Sequence, residues 1–82
     1  MAVDFEKMVK NMIMPLVVNP EDVLVKIISD DDDVIIIQLL VKESDLGRVI
    51  GKGGRIANAM RTIVYAGASK EGKRVQLNID AF

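Results

Sequence analysis

The chain has 82 residues, half of them apolar and 28% charged, with a formal net charge of −1; a domain of that size buries only about 60 to 65% of its unfolded surface, which leaves little room for the water-excluding cleft of an enzyme. It contains neither histidine nor cysteine, which removes disulfides, the commonest zinc ligands, the usual general base at neutral pH and the thiol nucleophile. The small total conceals an asymmetry: residues 1–45 hold four basic and ten acidic side chains, whereas residues 46–74 carry Arg48, Lys52, Arg55, Arg61, Lys70, Lys73 and Arg74 against Glu71 alone, a local balance of +6.

The opening Met1-Ala2-Val3-Asp4-Phe5-Glu6 is acidic where a secretion signal is basic, and no apolar run approaches the roughly 20 residues of a membrane span, so a soluble intracellular protein without membrane contact is expected. From Asp4 onward Phe5, Met8, Val9, Met12 and Leu16 recur at the spacing of one helical face. Pro15 disfavours helical geometry at Met14, which predicts an end or bend there, and Asn19-Pro20 reads as a turn. The methionines read as core packing rather than an adaptable binding surface.

Val23, Val25 and Ile27 alternate with Leu24, Lys26 and Ile28. After the acidic link Asp30–Asp33 comes the β-branched run Val34–Val41, so two strands paired as an antiparallel hairpin are expected. The aspartates read as a solvated turn, because a calcium loop needs spaced ligands, a glycine and a distal glutamate. The second strand is apolar on both faces, with Ile35, Ile37, Leu39 and Val41 on one and Val34, Ile36 and Leu40 on the other. Either another part of the chain or another chain must cover the second face.

Ser44 or Asp45 can cap a short helix running to about Ile50. From Arg55 a longer helix is expected to bury Ile56, Ala59, Met60, Ile63 and Ala66, with Ala57 and Val64 at the margin and Asn58, Arg61 and Tyr65 outward; Gly67 and Gly72 mark its end and the following loop. Val75, Leu77 and Ile79 then alternate through a last strand, Lys73 to Asp80. The order is α-β-β-α-α-β in one domain spanning residues 1–82, an α+β layer with the helices packed on one face of a three-stranded sheet.

Between the two helices lies Gly51-Lys52-Gly53-Gly54, and three phosphate-binding motifs compete for it. A Walker A loop fails because only three residues separate Gly47 from Gly51 and Gly53 stands where its hydroxyl residue belongs. A dinucleotide fingerprint fails because no Gly-x-Gly-x-x-Gly can be read and no strand runs directly into the loop. Glycines alone would make only a tight turn, with the basic residues serving solubility. Their setting points further: Gly-x-x-Gly between two helices, preceded by Val49-Ile50 and followed by a basic helix, resembles the core of KH domains, whose loop clamps about four nucleotides of backbone.

The helix-strand-strand lead-in resembles the type II arrangement of KH domains, and the resemblance covers nearly the whole chain. Gly47-Arg-Val-Ile-Gly-Lys-Gly-Gly-Arg55 and Arg61-Thr-Ile-Val-Tyr65 are similar to the small bacterial single-KH proteins of the KhpA group. That resemblance implies cytoplasmic binding of single-stranded RNA with low sequence selectivity and an RNA-chaperone or post-transcriptional role tied to cell shape and cell division. It also implies a homodimer and pairing with a multidomain KH protein of the KhpB (Jag) group. The RNA-binding residues it implies are Gly51, Lys52, Gly53, Gly54, Arg48, Val49, Ile50, Arg55 and Ala57. Ala57 stands where KH domains usually carry a large aliphatic residue, and the aspartate link should repel phosphate beside the groove, so modest affinity is expected. Tyr65, with Arg61 and Ile63, reads as a partner contact, and for Tyr65 base stacking is the alternative. No catalytic residue, cofactor or metal site is expected. The competing functional reading is an assembly module that uses the KH fold with little RNA affinity of its own.

Overall fold

Residues 4–31 and 33–82 are described by the computed structural model, in which the β-branched run Val34–Val41 forms β2, the strand bonded on both sides. Its antiparallel neighbour is β1 (Leu24–Asp30), and its parallel neighbour is β3 (Arg74–Ala81). A parallel pair cannot be closed by a tight turn; the crossover here consists of α2 (Glu43–Ile50), a single 3-10 turn at Lys52–Gly54 and α3 (Arg55–Lys70). With α1 (Phe5–Ile13) leading, the order is the expected α-β-β-α-α-β around a mixed three-stranded sheet.

Ile35, Ile37, Leu39 and Val41 face the helices and are buried, and Val49, Val64 and Leu77 close over them. The helices all lie on that face. Val34, Ile36 and Leu40 on the other face are half-buried by their own neighbours, while Leu24 and Ile28 are 39% and 60% exposed. Among the described residues, therefore, nothing in this chain covers the second apolar face. Ile28 protrudes because the β1–β2 register shifts between Ile27 and Ser29, leaving it as an extra residue.

Asp4 starts α1 by accepting the Lys7 N–H at 3.1 Å. The helix ends at Ile13, where Pro15 predicts. Its buried stripe is Phe5, Val9 and Ile13, with Met8 and Met12 as partly buried flanks, so Ile13 takes the place expected of Leu16. The stripe on α3 differs more: Ala57, Met60, Val64 and Ala68 are buried, whereas Ala59 and Ala66 are exposed and Ile63 is 51% exposed. The expected face is turned by roughly 100°, one residue about the axis. Gly67 sits inside the helix, which runs on to Lys70. Beyond it Gly72, at φ +71°, lets the Gly72 and Lys73 N–H groups return to the Ser69 and Ala68 carbonyls, a Schellman closure.

The acidic link forms a tight turn: Asp31 Oδ1 accepts the Asp33 and Val34 N–H groups at 2.9 and 2.8 Å, and the Val34 bond above all, with that from Asp33, holds the Asp31 carboxyl below its ordinary pKa. Asp32 lies outside the described residues. Asp30 pairs with Lys73 at 2.9 Å, and the Asp33 carbonyl accepts the Arg74 N–H. The link thus sits beside the start of β3, at the far end of α3 from the glycine loop. Sixteen helical residues span about 24 Å, roughly three Debye lengths at physiological salt, so repulsion of phosphate at the loop by these carboxylates is weak.

Asp45 is no cap. The N-cap of α2 is Lys42, without a side-chain bond, and Asp45 lies within the first turn, buried. Its carboxylate accepts the Val18 and Asn19 N–H groups at 3.0 and 2.9 Å and the Asn19 side-chain amide at 3.1 Å, tying the α1–β1 connection to α2. The Val18 bond, followed by those from Asn19 and by the Arg48 charge, holds its pKa below the ordinary carboxylate value although burial opposes this. A carboxyl depressed in the folded state contributes stability that is present above its unfolded pKa of about 3.9 and is lost as pH falls through the folded value. Asp45→Asn should therefore lower the melting temperature at pH 7 and flatten its fall between about pH 5 and 2. Thermal melts across that range check this, and an unchanged acid slope would contradict it.

Candidate nucleic-acid interface

Gly51 ends α2 at φ +77° and ψ 170°, its N–H donating to the Gly47 carbonyl at 2.9 Å. Gly53 and Gly54 follow at φ +66° and +77°, and the Gly54 N–H returns to the Gly51 carbonyl at 3.1 Å. Three left-handed residues within four reverse the chain between two helices, a path that costs an L-residue roughly 1–2 kcal/mol at each position. The three glycines differ in what surrounds them. A Cβ on Gly51 would lie 2.7 Å from Ile56 Cγ1 and 3.0 Å from the Ile56 N, whereas at Gly53 it would meet nothing within 4 Å. Gly51 is thus demanded by packing against α3, and Gly53 by backbone conformation with open space in front of it.

The start of α3 is electrostatically unbalanced. Its N-cap is Gly54, no side chain caps it, and its first turn holds Arg55 and no carboxylate. The positive end of the helix therefore faces outward with Lys52 and Arg55, both exposed, beside it. Such an end attracts an anion that a backbone without side chains can approach. Arg48 joins them from α2: its side chain is 58% exposed, and its Nε lies 3.6 Å from Asp45 Oδ1. Five guanidinium N–H groups make that pairing compatible with a second acceptor.

Of the nine residues that the sequence assigns to RNA, Arg48, Lys52, Gly53 and Arg55 are exposed, and Ile50, Gly51 and Gly54 are half-buried. Val49 and Ala57 are 0% and 3% exposed. Their side chains face the core, so they support the loop from beneath rather than meet a ligand. Ile56, beside Ala57, is half-buried and packs against Gly51 instead.

The three residues assigned to a partner do not form one patch, since positions two apart on a helix do not share a face. Ile63 and Tyr65, 51% and 47% exposed, sit on opposite flanks of α3. Arg61 is half-buried, its Nε and Nη2 both donating to the Leu77 carbonyl at 3.3 Å. Asn58, Arg61 and Tyr65 follow one another at helical spacing along the flank toward β3, starting where a Cβ on Gly54 would lie 3.7 Å from Asn58 Nδ2. Beyond them Tyr65, Lys73, Arg74 and Val75 line an open depression of about 310 Å³. Sequence reasoning marked Asn58, Arg61 and Tyr65 as outward but had no means of placing β3 opposite them. Among the described residues no group of three carboxylates converges to hold a metal ion.

Two helices joined by this loop, packed with a third on one face of a β1-β2-β3 sheet, define a type II KH domain. The family model described as "KhpA/KhpB, KH domain" matches residues 6–79, and the chain belongs to that family. Relatives named "RNA-binding protein KhpA" are similar over almost their full length. The protein of Listeria monocytogenes is 45% identical, covering 90% of this chain and 96% of the relative. That of Bacillus subtilis is 42% identical, covering 90% of each, and that of Caldanaerobacter subterraneus is 49% identical, covering 89% and 96%. No solved structure matches the chain.

Alanine at the two kinds of glycine should separate packing from conformation. Gly51→Ala combines a positive φ with a clash against Ile56 and is expected to cost about 2–4 kcal/mol. Gly53→Ala carries only the backbone term, about 1 kcal/mol. Urea denaturation of both variants measures the difference, and equal losses would contradict the role given to Ile56.

Proposed function

We propose that this chain binds single-stranded RNA by clamping the sugar-phosphate backbone at Gly51–Gly54, with little demand on base sequence. The observation that carries this is the start of α3: a helix end capped by glycine, lacking any carboxylate and flanked by Lys52 and Arg55, in front of open space at Gly53. The name of the curated relatives, RNA-binding protein, agrees with that reading. Arg48, Lys52 and Arg55 supply charge, while Gly53 and Gly54 give the backbone close access; Ile50 borders the bases and Val49 and Ala57 hold the loop from below. Backbone contacts carry no sequence information. This suits an RNA chaperone or post-transcriptional regulator acting on many transcripts in the cytoplasm, in a pathway serving cell shape and division. No helix among the described residues is long and apolar enough to cross a membrane.

Three cationic contacts give weak binding, and a dimer raises it through avidity. Exposed Ile63 and Tyr65 on α3, and Leu24 and Ile28 on the outer sheet face, offer surfaces for a second copy or for a KhpB/Jag-type partner. The same apolar face favours the second reading, an assembly module with little RNA affinity of its own.

Sedimentation with a labelled single-stranded oligonucleotide decides between the two. The native chain should sediment at twice the mass of one chain and carry the RNA, with log affinity against log salt sloping at about −2 for three phosphate contacts. Lys52→Asp with Gly53→Asp should remain folded, since aspartate tolerates the left-handed region and nothing occupies the space at Gly53, yet lose RNA binding by at least about tenfold. A folded double variant that carries RNA as the parent does would overturn the assignment of binding to the loop, and a native chain that self-associates but carries no RNA would leave the assembly reading in its place.

A further inference from the structure

The free edge of β3 is the other wall beside the glycine loop, and its chemistry follows from hydrogen-bond parity. Arg74 N–H donates to the Asp33 carbonyl and Phe82 N–H to the Val41 carbonyl. The even-numbered residues of β3 therefore turn their peptide groups toward β2, and Val75, Leu77 and Ile79 turn theirs outward. The Leu77 carbonyl, midway along that edge, is already held by Arg61 Nε and Nη2 at 3.3 Å each. Where a bare edge would offer an acceptor, this one presents a guanidinium: two of its five N–H donors are engaged, three remain, and it can accept nothing.

Arg61 lies between Asn58, beside Gly54, and Tyr65, beside the depression formed with Val75 and Arg74. A strand whose phosphates sit at the loop would lay its bases along this α3–β3 flank, which carries polar and aromatic groups, whereas the exposed residues of the opposite flank nearest the loop are the apolar Ala59 and Ile63. Resting on the RNA-binding reading above, we infer that Arg61 biases the domain toward bases with a carbonyl oxygen at the purine 6 or pyrimidine 4 position, guanine and uracil, over adenine and cytosine, which carry an amino group there. Guanine O6 and uracil O4 accept hydrogen bonds from a guanidinium, whereas adenine N6 and cytosine N4 are donors that meet another donor there and find the Leu77 carbonyl occupied.

Hypoxanthine tests this on the native chain because it is adenine with the amino group replaced by a carbonyl. Two labelled cytidine octamers carrying either adenosine or inosine at the two central positions, too few pairs for self-association, are titrated by fluorescence anisotropy, and the inosine octamer should bind about threefold to tenfold more tightly. Arg61→Met removes the donors and frees the Leu77 carbonyl, so the ratio should fall to about one or reverse, whatever loss is common to both octamers. If that variant does not fold, Arg61→Lys keeps one cationic donor without the planar fork and should bring the ratio toward one. A native ratio near one, or a ratio unmoved in the folded variant, overturns the inference and leaves backbone binding standing. A native chain that binds neither octamer overturns the RNA-binding reading and this inference with it.

Discussion

Ile56 occupies the space in which any residue but glycine at position 51 would carry its Cβ, and this contact governs how α3 leaves α2. With Gly51 at φ +77° the chain turns without strain, and the Gly51 carbonyl then accepts the Gly54 N–H to complete the turn. Everything assigned to the loop depends on that corner. It directs the start of α3 outward, puts a glycine without a side chain at the N-cap, and sets Lys52 and Arg55 beside an unneutralised helix end. Beneath it Val49 and Ala57 are sealed into the core.

The second constraint is topological. The parallel pairing of β2 with β3 requires a crossover, and the crossover carries the candidate site: α2, glycine turn and α3 in succession. Because α3 must then run back along its length to deliver β3 beside β2, the acidic β1–β2 link ends up at the opposite pole. The charge asymmetry of the sequence becomes a spatial separation, with Asp30 paired to Lys73 and Asp31 folded into its own turn. Asp45 and Arg48 join the two regimes. One carboxylate fastens the α1–β1 connection and also faces a cation of the interface.

Element order, the hairpin, the buried face of β2 and the glycine loop were all legible in the sequence, because period-two alternation and a glycine-punctuated basic segment are local signals. The rotation of α3 was not. Ile56, Ile63 and the alanines between them mimic an apolar stripe, and only the positions of β3 and α1 decide that Ala57, Met60, Val64 and Ala68 face inward. Gly67 resembled a helix end because glycine is common there; the actual closure lies at Gly72, where the returning N–H groups reach Ser69 and Ala68. Asp45 looked like a cap since aspartate often is one. Its partners, Val18 and Asn19, are 27 and 26 residues away in sequence, beyond any local pattern. The bond between Arg61 and the Leu77 carbonyl is tertiary in the same sense.

The corner between α2 and α3 is proposed to receive the backbone of single-stranded RNA. Amide chemical-shift mapping during titration with a single-stranded oligonucleotide tests it most directly, because the loop's own N–H groups are the reporters. The largest shifts are expected at Lys52–Ile56, smaller ones along the β3 side of α3, and none at Leu24 or Ile28 on the outer face of the sheet. Shifts concentrated on that outer face, with Lys52–Ile56 unmoved at saturation, would contradict it.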